Sequence, residues 1–343
     1  MRVLLIQTAF IGDCVLTTPL IRRTKEFIAG ADGKLAVLTT PEGAQVLENS
    51  PRIDEIIVFD KRRSEKGIRS VSKLISEIKR RKFDVAILPH RSFLTGLISY
   101  FARIPKRIGF ASSAGSVFYT VSIGREPRLP EPERLLGLLK YFAVEFEPCP
   151  LEVFPNSLQQ KIADDFLQKN GLSDRKFFIV APGSVWGTKR YPPEKFARTI
   201  DILTAAGVFD SAVLIGGKSD ISICENIIRE TKSQIYSACG MFDILTSTAL
   251  IKRSSLLIGN DSAPAHIAPA VGTPVAVILG PTIKDFGFAP YGKNVIVVEP
   301  SQTLDCRPCS PHGRMVCPKK NHACMNGISP QEIAEAASKL ILR

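Results

Sequence analysis

The first residue whose position suggests chemistry is Asp13, a carboxylate that directly follows Gly12 in the segment QTAFIGDCVLTTPL, residues 7–20. An apolar run precedes this segment and an apolar periodic stretch begins inside it, so Asp13 is expected between a strand and a helix. There it could be a helix N-cap, which stabilises by about 1 kcal/mol, or a group that acts on a substrate. Gly12 predicts a tight turn before it. No G-x-G-x-x-G follows the run, which argues against a dinucleotide site there.

Two loops in the second half of the chain have the composition of phosphate sites. In APGSVWGTKRY, residues 181–191, Ser184 and Thr188 supply hydroxyl groups beside the cations Lys189 and Arg190. The order of residues is not that of a P-loop. A second loop, GGKSD at residues 216–220, ends in Asp220 and could approach a ribose or a phosphate through its backbone.

A third segment, LIGNDSAPAHIAPAVGTP at residues 257–274, predicts a strand followed by a helix. Asp261 or Ser262 would cap that helix, and Pro264 suits its first turn. A helix N-terminus with free N–H groups is a ready anion site. His266 would lie in or just after the first turn, either facing a ligand or as a buried, hydrogen-bonded core histidine.

These loops are expected at the ends of strands, because short apolar runs alternate with helical periods along the whole chain. Such runs indicate parallel sheets that are buried on both faces. The strands of the first series are expected at residues 3–8, 34–39, 55–59, 84–89 and 106–110. Those of the second are expected at residues 177–181, 212–215, 255–258, 274–279 and 294–298, with a closing helix at 330–342. A proline-rich segment, residues 145–155, separates domains predicted at residues 1–155 and 156–343, within the size range of typical domains.

The charge of the chain calls for an anionic partner, since its net charge is +12 and its pI is about 9.4. Residues 61–82 hold ten Lys and Arg and predict a basic amphipathic helix with Val71, Leu74, Ile75 and Ile78 on its buried face. No nucleic-acid-binding motif is present and there is one Trp, so nucleic acid is not the expected partner. The N-terminal apolar run is too short for a signal peptide and no stretch could span a bilayer, so a cytoplasmic location is expected.

Four of the eight cysteines crowd into a segment of residues 306–324, at Cys306, Cys309, Cys317 and Cys324. Four thiolates could hold a structural zinc, with His312 and His322 as further ligands, but the spacing is not that of a common zinc finger. Disulfides or a packed loop without metal are the alternatives. The remaining cysteines are expected as small core residues.

Three segments together resemble glycosyltransferase family 9: GDCVLTTP, PGSVWGTKRYP and GNDSAPAHIAPAVGTPVAVILGPT. The resemblance implies a GT-B fold, with two Rossmann-like domains facing a central cleft and the last helix packing back toward the first domain. It also implies ADP-heptose as donor and the anionic inner core of lipopolysaccharide as acceptor.

The resemblance assigns expected roles to residues of this sequence. Asp13 matches the catalytic base, and Lys189 the lysine that meets the donor phosphates. The expected acceptor-binding residues are Gly12 and Arg91. The expected donor-binding residues are Ser184, Thr188, Asp220, Asp261, Ser262, Ala263 and His266.

The expected reaction is an inverting transfer of heptose that needs no metal, in keeping with the absence of an Asp-x-Asp pair from the sequence. Addition of the second heptose onto the first is the favoured step. The alternatives are a GT-B transferase with another nucleotide sugar or acceptor, and a non-catalytic protein that binds lipopolysaccharide or nucleotide. The basic helix predicts peripheral contact with the inner leaflet of the cytoplasmic membrane.

Overall fold

The protein is described here by a computed structural model. The described residues are 1–30, 32–60, 67–144 and 146–342. The chain divides into two compact units, Met1–Phe154 and Pro155–Arg343. Residues 61–66, which begin the predicted basic segment, lie outside the described residues.

Parallel strands form the centre of the first unit, in the order β3-β2-β1-β4-β5-β6. Strands β1, β2 and β4 are apolar almost throughout and are buried, as expected for a sheet covered on both faces. The strands are β1 (Arg2–Gln7), β2 (Lys34–Thr39), β3 (Glu55–Val58), β4 (Val85–Leu88), β5 (Lys106–Phe110) and β6 (Val121–Ile123).

The helices of the first unit connect these strands and cover the sheet. They are α1 (Ile11–Leu16), α2 (Thr18–Ala29), α3 (Pro41–Leu47), α4 (Ile68–Arg81), α5 (Phe93–Phe101) and α6 (Glu131–Leu136). The described part of the basic segment forms α4, and its expected inner face is confirmed, since Leu74 and Ile78 are buried and Val71 and Ile75 pack against the same core.

The second unit repeats the architecture with the order β12-β11-β10-β7-β8-β9, again with parallel pairing. Two parallel sheets with connecting helices confirm the predicted α/β class. The strands are β7 (Phe177–Ala181), β8 (Ser211–Leu214), β9 (Ile235–Ser237), β10 (Leu257–Asn260), β11 (Val275–Ile278) and β12 (Val295–Val298).

The helices of the second unit end with α13, whose buried residues all belong to the core of this unit. It packs on α8, β11 and β12. The helices are α7 (Ser157–Lys169), α8 (Pro193–Ala205), α9 (Ile221–Glu230), α10 (Ile244–Arg253), α11 (Ala263–Ala270), α12 (Ala323–Asn326) and α13 (Pro330–Ile341). Among the described residues, no helix is long and apolar enough to cross a membrane.

Several elements are present that the sequence patterns did not indicate, namely β6, β9, α6, α7 and α12. β6 and β9 are three-residue strands at sheet edges and neither contains a buried residue, so they lack the apolar run that marks the inner strands. α7 has a recognisable start, because Asn156 accepts a hydrogen bond from the Gln159 N–H and the Gln159 side chain returns one to the Asn156 N–H.

Candidate active site

The candidate donor site lies where two neighbouring strands of the second unit end. β7 ends at Ala181 and β10 ends at Asn260, and the two strands are hydrogen-bonded neighbours in parallel orientation. The loops that follow them therefore start at the same edge of the sheet, which is where ligands of such sheets bind.

An ion pair between Lys189 and Asp261 joins these two loops. The distance from Lys189 Nζ to Asp261 Oδ2 is 2.5 Å, and the Thr282 hydroxyl donates to the same carboxylate oxygen at 3.1 Å. Both partners are mostly buried. Asp261 therefore does not cap α11, and Ser262 occupies the N-cap position without a side-chain capping bond. The charge of the expected phosphate-binding lysine is therefore balanced by the Asp261 carboxylate. A bound phosphate would have to compete with Asp261 for Lys189.

His266 lies in the second turn of α11 close to this pair and is 6% exposed. Burial lowers its pKa to about 4, an effect that the nearby charge of Asp261 opposes and that of Lys189 reinforces. Its Nδ1 has no hydrogen-bond partner among the described residues. His266 is therefore a neutral hydrogen-bonding group at pH 7, and the positive charge of the site must come from lysine and arginine.

Asn260 joins the two loops, a role that no sequence motif indicated. It is the last residue of β10 and is fully buried. Its Oδ1 accepts from the Tyr191 N–H at 3.1 Å, and its Nδ2 donates to the Pro182 carbonyl oxygen at 2.7 Å. Both ends of the Ser184–Lys189 loop are thereby fixed. A polar residue at the end of a buried strand was the signal available for it.

Asp220 lies against the start of the same loop. Its Oδ2 accepts from the Gly217 N–H at 2.9 Å, and a Cβ on Gly183 would come within 2.5 Å of its carboxyl carbon. A larger residue at position 183 would have to displace the Asp220 carboxylate. The structure thus brings the expected donor residues Ser184 and Asp220 to the same part of the sheet edge.

The cysteine-rich segment contacts the Ser184–Lys189 loop at Thr188. The Thr188 hydroxyl donates to the Arg314 carbonyl at 2.8 Å and accepts from the Arg314 N–H at 2.7 Å. The His322 ring nitrogen Nε2 lies 2.7 Å from the Thr188 carbonyl oxygen. Thr188 was expected to bind the donor, but its only hydroxyl hydrogen is used here, so a phosphate would have to displace that bond.

The four cysteines of this segment line one cavity together with Thr188 and His322. Burial raises the pKa of Cys324 to about 11. Burial also raises the pKa of Cys317, but the backbone N–H groups of residues 319–322 outweigh this and leave it below its usual value. Within the described residues, no three His, Cys, Asp or Glu side chains are grouped so that they could hold a metal ion. The zinc site stays a prediction.

In the first unit Asp13 is the third residue of α1, a helix that begins at Ile11. Its Oδ2 accepts from the Phe10 N–H at 3.2 Å, so it satisfies a free N–H at the helix start from inside the first turn and is not the N-cap. Gly12 is the second residue of this helix, and the prediction of a tight turn at Gly12 was wrong. The chain turns earlier, between the end of β1 at Gln7 and the start of α1 at Ile11. The Gln7 side chain accepts from the Ala9 N–H at 3.3 Å and donates to Thr17 Oγ1 at 2.8 Å.

A buried group of charges lies near Asp13, and no sequence motif indicated it. Glu131 accepts from Arg125 and, at 3.2 Å, from Arg134. Burial raises the pKa of Glu131, the two arginines lower it, and the charge of Asp13 raises it further, which places Asp13 within the same electrostatic environment. Because α6 was not predicted, its Glu131 could not be found from the sequence.

Two further residues lie near the ends of the central strands of the first unit. Arg91, an expected acceptor residue, follows β4, is exposed and donates to the Ser112 carbonyl at 3.1 Å. Its charge contributes to a lowered pKa of Arg125, after the larger effect of burial. His90, one residue earlier, lies 3.2 Å through Nδ1 from the Thr8 hydroxyl after β1. Polar and basic groups thus gather at the edge that carries Asp13.

The sequence model of glycosyltransferase family 9 (heptosyltransferase) matches residues 71–321. The chain belongs to glycosyltransferase family 9. This family 9 chain is 27% identical over 186 residues to a lipooligosaccharide heptosyltransferase 2 of Campylobacter jejuni, an alignment that covers 53% of this chain and 55% of the relative. The match therefore spans about half the length of that relative.

Solved structures agree with the GT-B fold predicted for this family 9 chain. A glycosyltransferase family 9 structure from Veillonella parvula has a TM-score of 0.87 at 24% identity, covering 99% of this chain and 97% of the other. An Escherichia coli structure described as ADP-heptose lipopolysaccharide heptosyltransferase II has a TM-score of 0.76 at 21% identity, covering 100% and 99%. The family and fold predictions are confirmed.

Proposed function

We propose that this protein transfers L-glycero-D-manno-heptose from ADP-heptose to the inner core of lipopolysaccharide. Membership of family 9 supports a glycosyltransferase, and the name of the C. jejuni relative, a heptosyltransferase, supports heptose as the sugar. Addition of the second heptose onto the first is the step that we propose. The observation that carries the proposal is the Lys189–Asp261 pair beside neutral His266, at the strand ends where a nucleotide is expected.

The second unit stabilises the leaving group in this proposal. The ADP gains negative charge as the bond to the sugar breaks, and preorganised positive charge lowers the energy of that state. Lys189 supplies this charge when the phosphates take over from Asp261, and the N-terminus of α11 adds a favourable dipole. Neutral His266 contributes a hydrogen bond without changing the charge balance.

The first unit supplies the base. Asp13 removes the proton of an acceptor hydroxyl as that oxygen attacks the anomeric carbon, which inverts the configuration in one displacement. A sugar hydroxyl is much less acidic than a carboxylic acid, so the proton moves late, while the new bond forms. Arg91 and the other cations near this edge suit the anionic groups of the inner core.

The decisive experiment mixes the pure protein with ADP-heptose and lipopolysaccharide cores truncated at defined sugars, and follows the acceptor mass. A gain of one heptose on a core that ends in the first heptose is expected. A gain only with another nucleotide sugar would replace the donor assignment. No gain with any donor, while ADP still binds, would leave a nucleotide-binding protein and contradict the proposal.

We also propose that the transfer needs no divalent metal, since Lys189 and the α11 terminus provide the positive charge. Transfer should persist in EDTA, and its loss, restored by Mg²⁺, would contradict this. A structural zinc at Cys306, Cys309, Cys317 and Cys324 is a separate proposal, supported by the four cysteines lining one cavity. One zinc per chain is expected in elemental analysis of protein purified without chelator, and a metal-free protein would exclude it.

A further inference from the structure

The outer surface of α5 in the first unit carries aromatic side chains that are largely exposed to solvent. The inner side of this helix is formed by residues such as Ile98 and Ser99, which are buried. Phe93 is 51% exposed, Tyr100 49% and Phe101 54%. Single exposed apolar residues are ordinary on a protein surface, whereas a contiguous group marks an interaction site.

These side chains are contiguous, and the short helical turn after β5 joins them. The Phe118 ring of that turn lies 5.2 Å from Phe93 and 5.6 Å from Tyr100 between ring centroids, and Tyr100 lies 5.3 Å from Phe101. Val117 beside them is 77% exposed. We name Phe93, Tyr100, Phe101, Val117 and Phe118 the aromatic patch.

The local fold holds the aromatic patch together through two glycines. A Cβ on Gly96 of α5 would meet the Gly115 carbonyl oxygen at 2.8 Å, so the helix and the turn touch backbone to backbone. This close approach brings Phe118 against the outer rings of α5. The aromatic patch is therefore positioned by a backbone contact between α5 and the turn.

Basic residues predominate around the aromatic patch. Between Asp84 and Glu126 the sequence contains no acidic residue and five basic ones. Arg103 and Lys106 are exposed after α5, and the Arg107 guanidinium lies 5.4 Å from the centre of the Tyr100 ring. α4, which packs beside α5, adds a further set of exposed cations: Arg69, Lys73, Lys79 and Arg80.

We propose that the aromatic patch docks this protein on an anionic phospholipid surface, with its rings at the boundary between headgroups and acyl chains. Aromatic rings favour that boundary, and lysine and arginine are attracted to anionic headgroups. A second copy of the chain fits less well, because the same patch would bring its cations against like charges.

This inference deepens the proposed function, on which it rests only in that a lipopolysaccharide acceptor is embedded in a membrane. The expected basic helix α4 supplies charge to this surface, while α5 supplies the apolar groups that enter the lipid. Docking by charge alone would be fully reversed by salt, whereas docking that includes the rings should be reversed only in part.

The test measures sedimentation of the full chain with vesicles of phosphatidylcholine, with and without phosphatidylglycerol. The double variant Phe93→Ser/Phe101→Ser should bind anionic vesicles about tenfold more weakly than wild type, because two rings that would enter the lipid are lost. The matched control is Leu158→Ser on α7, which removes a side chain that is 63% exposed in the second unit. The control should bind as wild type does.

Wild-type binding by the double variant would overturn the proposal, and so would a dimer of wild type that the double variant dissociates while vesicle binding is unchanged. A second measurement uses Phe101→Trp with lipids brominated on their acyl chains. Fluorescence quenching beyond that of wild type, whose one Trp is Trp186, is expected, and no added quenching contradicts insertion.

Transfer assays separate this inference from the proposed function. The double variant should match wild type with a lipid-free core oligosaccharide and lose rate only when the acceptor is embedded in vesicles. Equal loss with both acceptors would place the patch in sugar binding and overturn the docking role. Absence of transfer in all proteins would refute the proposed function, while the vesicle result still decides the docking.

Discussion

Two buried amides end central strands of the two units. Gln7 ends β1, the first strand of its unit, and Asn260 ends β10, the fourth strand of its unit; each is one of the two central strands of its six-stranded sheet. The partners of Gln7, Ala9 and Thr17, lie within ten residues of it. Those of Asn260, Pro182 and Tyr191, are 78 and 69 residues away.

The difference shows how the two candidate sites are built. In the first unit the amide shapes its own turn and so positions the start of α1, which carries Asp13. In the second unit the amide joins two separate loops and so positions Lys189 against Asp261. A local site should tolerate loss of its amide better than a site assembled from distant segments.

The largest effect is expected from Asp13→Asn, which tests the catalytic part of the first site. Turnover should fall by about 10²–10⁴-fold, because the base is lost. The asparagine side-chain oxygen can still accept from the Phe10 N–H, so the unfolding free energy should change little. Transfer at close to the wild-type rate in a mass-based assay would show that Asp13 is not the base.

Asn260→Ala tests the assembled site. It leaves the Tyr191 N–H and the Pro182 carbonyl without their partner in a buried place, at a cost of about 3 kcal/mol in unfolding free energy. Urea unfolding measures this change. Asn226→Ala, at a partly exposed position on α9, is the control and should change stability by no more than about 0.5 kcal/mol. Equal effects of the two substitutions would refute the bridging role.

His266→Gln tests the buried histidine through pH. The unfolded chain protonates this residue near its ordinary pKa of 6.5 and the folded protein only near 4. Since the unfolded state binds the proton first, His266 should reduce stability by about 2 kcal/mol between pH 7 and pH 5. The variant should lose this part of the pH slope, and the exposed control His312→Gln should keep it. Identical slopes in the variant and wild type would contradict a buried neutral histidine.

Gln7→Ala should have the smallest effect, about 1 kcal/mol, because both of its hydrogen-bond partners lie within ten residues of it along the chain and no separate loop is released. Its removal should lower kcat more than donor affinity, since the displaced element carries Asp13. Steady-state kinetics with varied donor separates the two. A selective loss of donor affinity would mean that Gln7 does not act through Asp13.

The fold class could be predicted from the sequence because the buried strands of a parallel sheet are continuous apolar runs, which stand out between the helical periods. α8 and α11 also begin with prolines that mark their first turns. The loops after β7 and β10 could be recognised because small residues, hydroxyls and cations follow buried strands there.

Interactions between distant segments could not be predicted. The bonds of Asn260 to Pro182 and Tyr191, and of Thr188 to Arg314, depend on which strands become neighbours. Glu131 lies on a six-residue helix without a motif, and its importance follows from its burial near Asp13. The aromatic patch likewise arises from the contact of Gly96 with Gly115.

Calorimetric titration of ADP into wild type, Asp13→Asn and Lys189→Ala tests most directly the division of roles between the two units. The account predicts that Asp13→Asn binds ADP as wild type does, and that Lys189→Ala binds it about tenfold more weakly or worse, because a charge-assisted bond to phosphate is lost. Unchanged affinity in Lys189→Ala, or an equal loss of affinity in Asp13→Asn, would contradict it.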